Sequence, residues 1–263
     1  SFNTLFSEKI LSHIKEITNN KKLNKIIMPY EGQTFQNLIN LELKKIYPNC
    51  KTIGIIHSMP PALPINLIRR QGSPDLIYVN GSDQYKLLSK YLSWPSKKIK
   101  ICKCLRLKTH NKKFNTNYLF LPISINDQKE INSSFLNYYK KFYKKFGNII
   151  VKNHPQKNNS SMHLNLKKNL EKTIRSKNYA NKLNKNHFFY IGCTSSFIEN
   201  LERKIKASHL TLNPILDCYT NKLWKNLLIS EESQNIFNYK LLKKKQLLIL
   251  SKKSYNFKNL NLI

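Results

Sequence analysis

The sequence predicts an α/β protein in two halves, each a mostly parallel sheet with helices on its faces, the halves facing one another across a cleft. Three observations carry this. Short apolar runs alternate with longer stretches of helical periodicity. The order strand, helix, strand implies parallel pairing, since such connections are crossovers. The alternation stops once, at residues 107–116, LKTHNKKFNT, where apolar side chains are few, and then starts again.

In chain order, residues 2–20 place Leu5, Phe6, Ile10, Leu11, Ile14 and Ile17 at helical spacing. KIIMPY at 25–30 reads as a buried strand whose exit carries Glu31 and Gly32. Phe35 to Ile46 repeats with helical period until Pro48 stops it. Thr52 to Ile56 is a second strand, delivering His57 and Ser58. Residues 59–74 are too rich in proline for a regular element. Asp75 to Val79 is a strand, Asn80-Gly81-Ser82 a turn with Ser82 as helix cap, Asp83 to Leu92 a helix, and Lys100 to Leu105 a strand ending at Arg106. After the linker, Tyr118 to Ile123 and Ile149 to Val151 are strands around a helix from Ser133 to Phe146. A helix over 164–177 follows, then a strand from His187 to Gly192 and a helix from Phe197 to Arg203. Leu210 to Asn213 reads as a short strand, Leu223 to Leu228 as a helix, and Leu247 to Leu250 as a last apolar run. The two Rossmann-like halves are thus drawn at 1–110 and 111–263. Because the chain starts at Ser1 and enters a helix directly, the first half is expected to be truncated.

Composition bounds the chemistry. At 263 residues and 40% hydrophobic, the chain can build real cores. The formal charge of +32 invites nucleic acid or an anionic membrane as partner. Yet the basic residues are dispersed and no nucleic-acid-binding motif is present, so no specific nucleic acid is expected. Five cysteines without a CxxC pair point to free thiols in a reducing cytoplasm. No apolar run reaches the ~20 residues of a membrane span. The expected location is cytoplasmic, with peripheral contact at the anionic inner face of a membrane.

Four strand exits carry polar groups: Glu31, His57-Ser58, His154-Pro155 and Thr194-Ser195-Ser196. Exits of parallel strands crowd onto one sheet edge, where ligands of open α/β sheets bind. Glu31 can serve as a general base, with Gly32 allowing close approach of a substrate, or it can cap the following helix. Ser195 and Ser196 open a helix, where backbone N–H groups favour an anion; the plain alternative is an N-cap. His57 either touches a ligand or orients the proline-rich loop. No glycine-rich phosphate loop, nucleophile elbow or Asp-x-Asp pair is present, and no metal or cofactor is expected.

These residues resemble a family. Tyr30-Glu31-Gly32 is similar to a degenerate acidic-acidic-glycine motif of bacterial sialyltransferases and polysialyltransferases, His154-Pro155 to their His-Pro motif, and Thr194-Ser195-Ser196 to their serine-rich phosphate segment. YEGQTFQNLI, IGIIHS and DLIYVNG resemble surface-carbohydrate proteins of the GT-B type. The resemblance implies an inverting, metal-independent glycosyltransferase taking an acidic sugar (sialic, Kdo-like or other nonulosonic) from a CMP donor to a surface glycan or lipid-linked acceptor, as in capsule or lipopolysaccharide synthesis. It makes Glu31 the base and His154 the partner of the leaving phosphate. Pro155, Thr194, Ser195 and Ser196 join His154 at the nucleotide, with Gly32, His57, Ser58 and Arg106 near substrate. The first half becomes the acceptor side. A glycerol- or ribitol-phosphate transferase of wall-polymer type, a basic nucleic-acid-binding protein and an inactive sugar-binding relative are the competing expectations.

Overall fold

A computed structural model describes residues 2–19, 21–108, 116–125, 127–142, 146, 149–154, 157, 160–175, 187–242 and 247–251. The fold is α/β, with two main sheets of mostly parallel strands. The chain divides into two compact units. One takes residues 1–60, 64–108 and the segment starting at Leu247; the other takes 61–63 and 109–246. Residues 109–115 of the expected linker lie outside the described ones.

In the first unit, α1 (Phe2–Thr18) packs Leu11, Ile10 and Ile14 against Ile39 and Leu43 of α2 (Thr34–Ile46). Beneath them β1 (Lys25–Pro29), β2 (Lys51–Ile55), β3 (Leu76–Val79) and β4 (Ile99–Ile101) form a parallel sheet in the order β1-β2-β3-β4. Between β2 and β3 the proline-rich loop makes a 3₁₀ turn at Ile65–Leu67, whose Leu67 carbonyl accepts from buried Trp94 Nε1 at 2.7 Å. Between β3 and β4 runs α3 (Ser82–Tyr91). Its cap position is Gly81 and not Ser82, which is the first helical residue.

The expected strand from Lys100 to Leu105 is two strands. Cys102 N still donates to Val79 O, but Cys104 N donates to Ile249 O, so the chain changes partner at Lys103. The second piece, β5 (Cys104–Lys108), pairs in parallel with β12 (Leu250–Ser251), which lies in the last apolar run. Cys102 and Cys104 therefore do not share one strand face.

The second unit holds β6 (Asn117–Phe120), α4 (Gln128–Phe142), β7 (Ile149–Lys152), α5 (Ser161–Arg175), β8 (His187–Ile191), α6 (Ser196–Glu202), β9 (Lys206–Leu210), α7 (Pro214–Asp217), β10 (Leu227–Ser233) and β11 (Ile236–Leu241). Strand order is β10-β11-β9-β8-β6-β7. The four strands β9, β8, β6 and β7 are parallel; β10 and β11 are an antiparallel hairpin on the β9 edge. Side chains alternate across the sheet. Leu119, Val151 and Phe189 meet Phe135 and Tyr138 of α4 and Leu166 and Leu170 of α5. On the opposite face Tyr190 meets Phe197 of α6.

Two expectations fail here. The strand expected at Leu210 to Asn213 lies earlier, at Lys206–Leu210, and the helix expected at Leu223 to Leu228 is a turn leading into β10. Among the described residues no helix is long and apolar enough to cross a membrane.

Candidate functional site

In the first unit, register fixes the neighbours. Pro29 pairs with Ile55, so the chain leaving β1 and the chain leaving β2 emerge side by side. Glu31 and His57 sit two residues beyond those ends, and His57 Nε2 lies 3.4 Å from Glu31 Oε1. Both are partly exposed, with 33% and 45% of their side chains accessible, so the pair is open to a ligand. His57 Nδ1 is buried with no hydrogen-bond partner, which leaves Nε2 to serve the carboxylate.

Glu31 does not cap α2. Gln36 fills that role: its Oε1 accepts from Glu31 N at 2.9 Å and Gln33 N at 3.0 Å, while its Nε2 donates to Pro29 O at 2.9 Å. Tyr30 points the other way, fully buried, its hydroxyl donating to Asn37 Oδ1 at 2.8 Å and its pKa raised by burial.

Gly32 does not open room for a substrate. Its φ is +71°, and a Cβ there would collide with the backbone carbonyl of Asn66. The proline-rich loop fills that space. Asn66 Nδ2 donates to Glu31 O, and Arg70 Nη2 donates to Gly32 O at 2.6 Å. Glycine is needed so that the loop can clamp the Glu31 turn. Ser58 is partly exposed beside His57. Arg106 lies within β5, and its side chain is outside the described residues.

In the second unit the sheet order opens a crevice. β6 and β8 are neighbours, yet the chain leaves β6 for α4 on one face and leaves β8 for α6 on the other. Departure of adjacent strands to opposite faces marks the switch point where open α/β sheets bind ligands. A cavity of ≈ 250 Å³ lies there, walled by Pro122 and Ser124 after β6, Gly192 and Cys193 after β8, and Asn213 and Asp217 beyond β9. Asp127, Ile131, Leu210 and Leu212 complete much of its lining.

His154 stands at the exit of β7, one strand beyond β6, and is partly buried. Its pKa is lowered from the ordinary 6.5 by burial first, then by His163 and Lys157. His163, unmarked in the sequence, is nearly fully buried; its Nε2–H donates to Pro122 O at 2.9 Å and its Nδ1 is 3.1 Å from Ser160 Oγ. It ties the start of α5 to the cavity wall. Its helical spacing with Leu166 and Leu170 makes it a core position, which hides it in the sequence. Pro155 lies outside the described residues.

Thr194, Ser195 and Ser196 follow the cavity residue Cys193. Ser195 occupies the N-cap of α6 without a side-chain cap bond, Thr194 Oγ1 accepts from Ser196 N at 3.3 Å, and Ser196 is exposed. The exits of β7 and β8 are separated by β6, two inter-strand spacings or roughly 10 Å. Thus His154 and the serines flank one sheet edge without touching each other through a single strand gap. Asp127 and Thr211 were not singled out in the sequence: Asp127 Oδ1 accepts from Glu130 N at 2.9 Å, capping α4, and Thr211 Oγ1 donates to Asp217 Oδ2 at 2.6 Å.

Among the described residues no group of three or more His, Cys, Asp or Glu side chains is placed to hold a metal. Compared with known proteins, the chain matches no family model, no curated protein and no solved structure.

Proposed function

We propose that the chain is an inverting glycosyltransferase of GT-B type, using a CMP-activated acidic sugar and a surface glycan or lipid-linked acceptor. The observation that carries this reading is the cavity at the β6/β8 switch point, with His154 on the next strand exit and Thr194 to Ser196 on the chain leaving β8. A nucleotide placed along that edge reaches an imidazole and several hydroxyls without any cation.

In this reading Glu31 accepts the proton of the acceptor hydroxyl, whose oxygen forms the new bond to the anomeric carbon. The bond from that carbon to the CMP phosphate oxygen breaks, and the phosphate leaves with the electron pair. His57, 3.4 Å away, holds one carboxylate oxygen and leaves the other for the acceptor. Because burial lowers the pKa of His154, its ring is chiefly neutral near pH 7 and supplies an N–H to the leaving phosphate rather than a full proton. Ser195 and Ser196 add hydroxyl donors. The net charge of +32 suits an anionic donor and an anionic acceptor surface.

Thermal melting with CMP, CDP and UDP tests the reading. CMP is expected to raise the melting temperature; stabilisation by CDP and not by CMP would assign the chain to polyol-phosphate transfer instead. With the donor identified, Glu31→Gln is expected to lose transfer while retaining CMP binding within about threefold, since a base contributes ~10²-fold or more to rate and nothing to nucleotide affinity. Transfer by Glu31→Gln at the wild-type rate would remove Glu31 as the base.

A further inference from the structure

The chain carries 46 lysines and arginines against 14 acidic residues. A cavity drawn at random on such a protein would be basic. The one at the β6/β8 switch point is not: among the described residues no Lys, Arg or His lines it, while two carboxylates, Asp127 and Asp217, do. Each is fixed in place, Asp127 by Glu130 N and Asp217 by the Thr211 hydroxyl. Cys193, although exposed, also lines the cavity, and partial desolvation followed by the neighbouring Asp217 carboxylate raises its pKa. The floor is apolar, from Ile131, Leu210 and Leu212.

This lining accepts hydrogen bonds and repels anions. A phosphate inside would face two like charges with no cationic side chain to offset them. A hydroxyl-bearing ring fits on both counts, with edges donating to the carboxylates and faces resting on aliphatic side chains. At ≈ 250 Å³ the cavity is smaller than the ~300 Å³ lower bound for drug-sized ligands, which suits a single sugar or nucleoside rather than a whole sugar nucleotide.

We propose that this cavity binds an uncharged, hydroxyl-rich group through Asp127 and Asp217 and keeps phosphate outside. Resting on the reading of a CMP donor, the occupant is the nucleoside, with its phosphate outward toward the His154 and Ser195 exits. The same chemistry could come from a free monosaccharide.

Calorimetric titration of the full chain with cytidine, D-glucose and inorganic phosphate separates the cases. Cytidine is expected to bind without its phosphate, and excess inorganic phosphate is expected not to displace it. Asp217→Asn, which keeps the shape and an acceptor for Thr211, is expected to weaken cytidine roughly tenfold, as loss of a charge-assisted hydrogen bond does. Asp127→Asn is expected to do the same and serves if Asp217→Asn does not fold. Binding of glucose without cytidine would uphold the cavity's chemistry and sink the CMP reading. Displacement of cytidine by phosphate, unchanged affinity in both folded variants, or binding of neither cytidine nor glucose would overturn the proposal.

Discussion

Gly32→Ala is expected to destabilise the first unit by roughly 3–4 kcal/mol and to dismantle the Glu31 turn. A left-handed φ costs a non-glycine residue about 1–2 kcal/mol. The new Cβ also meets the Asn66 carbonyl, a backbone atom that cannot swing aside. The loop must withdraw, and with it go the bonds from Asn66 to Glu31 O and from Arg70 to Gly32 O, each worth about 1 kcal/mol. The chain's two tryptophans make the effect local to read, since Trp94 belongs to the first unit and Trp224 to the second. Trp94 bonds Leu67, the residue after Asn66. In a Trp224→Phe background the Trp94 unfolding midpoint in urea should fall sharply; in a Trp94→Phe background the Trp224 midpoint should not move. A Gly32→Ala shift under about 0.5 kcal/mol would mean that the loop does not clamp this turn.

Acid should act on the other unit. His209 is buried and His187 half-buried, and desolvation, the largest cause in both, brings each pKa down to about 4. For His187, Lys206 lowers it further and Glu232 opposes; for His209, the Gly192 carbonyl and Asp217 oppose. Both rings are tied as neutral species. The Nε2–H of His187 donates to Ser208 Oγ at 2.7 Å, and Ser208 donates on to Asn238. The Nε2–H of His209 donates to Gly192 O at 2.7 Å, while its Nδ1 accepts from the Tyr239 hydroxyl at 3.2 Å. Unfolded, each ring takes up a proton near the ordinary 6.5; folded, it does so only near 4. Between these values the unfolded state binds more protons, so stability falls as pH drops from about 6.5 and levels off below about 4. The loss is roughly 2 kcal/mol per histidine at pH 5, and about 3 kcal/mol each at the plateau.

The first unit has a different window. Burial works to raise the Asp75 pKa, but Lys44 Nζ at 2.6 Å and Thr52 N at 2.8 Å outweigh it and hold the carboxyl below the ordinary 3.8. That contribution is complete above 3.8 and fades only as pH falls through the lower, folded value. Urea unfolding at pH 7.5 and pH 5, read by Trp224 alone, should show the fall of about 4 kcal/mol expected from two histidines. Replacing His209 by Gln should remove about half of this pH dependence, whatever it does to stability at pH 7.5. A Trp224 midpoint independent of pH over this range would contradict rings held neutral in the folded state.

The first unit was legible because its signals are local. Pro48 ends α2, and the runs at 25–29 and 51–55 are bounded by turn residues. Glu31 and His57 could be named because a strand exit is readable from the residues that stop the strand. What failed was set by distant partners. Ser208 and His209 are buried at 1% and 0%, and this makes β9 look polar. They are tolerated because His187, Asn238, Gly192 and Tyr239 satisfy them. Leu223, Trp224, Leu227 and Leu228 have helical spacing, but the strand begins at Leu227 and turns at Gln234-Asn235, where Asn235 takes φ +64°. Asn235 between alternating residues is the local hairpin signal. The switch of Cys104 from β3 to a strand of the last apolar run has no local trace. The cavity was also invisible: alternation tells that strands are parallel, not that β8 inserts beside β6 while β7 takes the edge.

Crystals of the chain soaked with CMP would show where the nucleotide lies. The nucleoside is expected in the β6/β8 cavity, with ribose or base donors on Asp127 and Asp217, and the phosphate outside it between His154 and Ser195. CMP density elsewhere, or a phosphate seated between the two carboxylates, would contradict it.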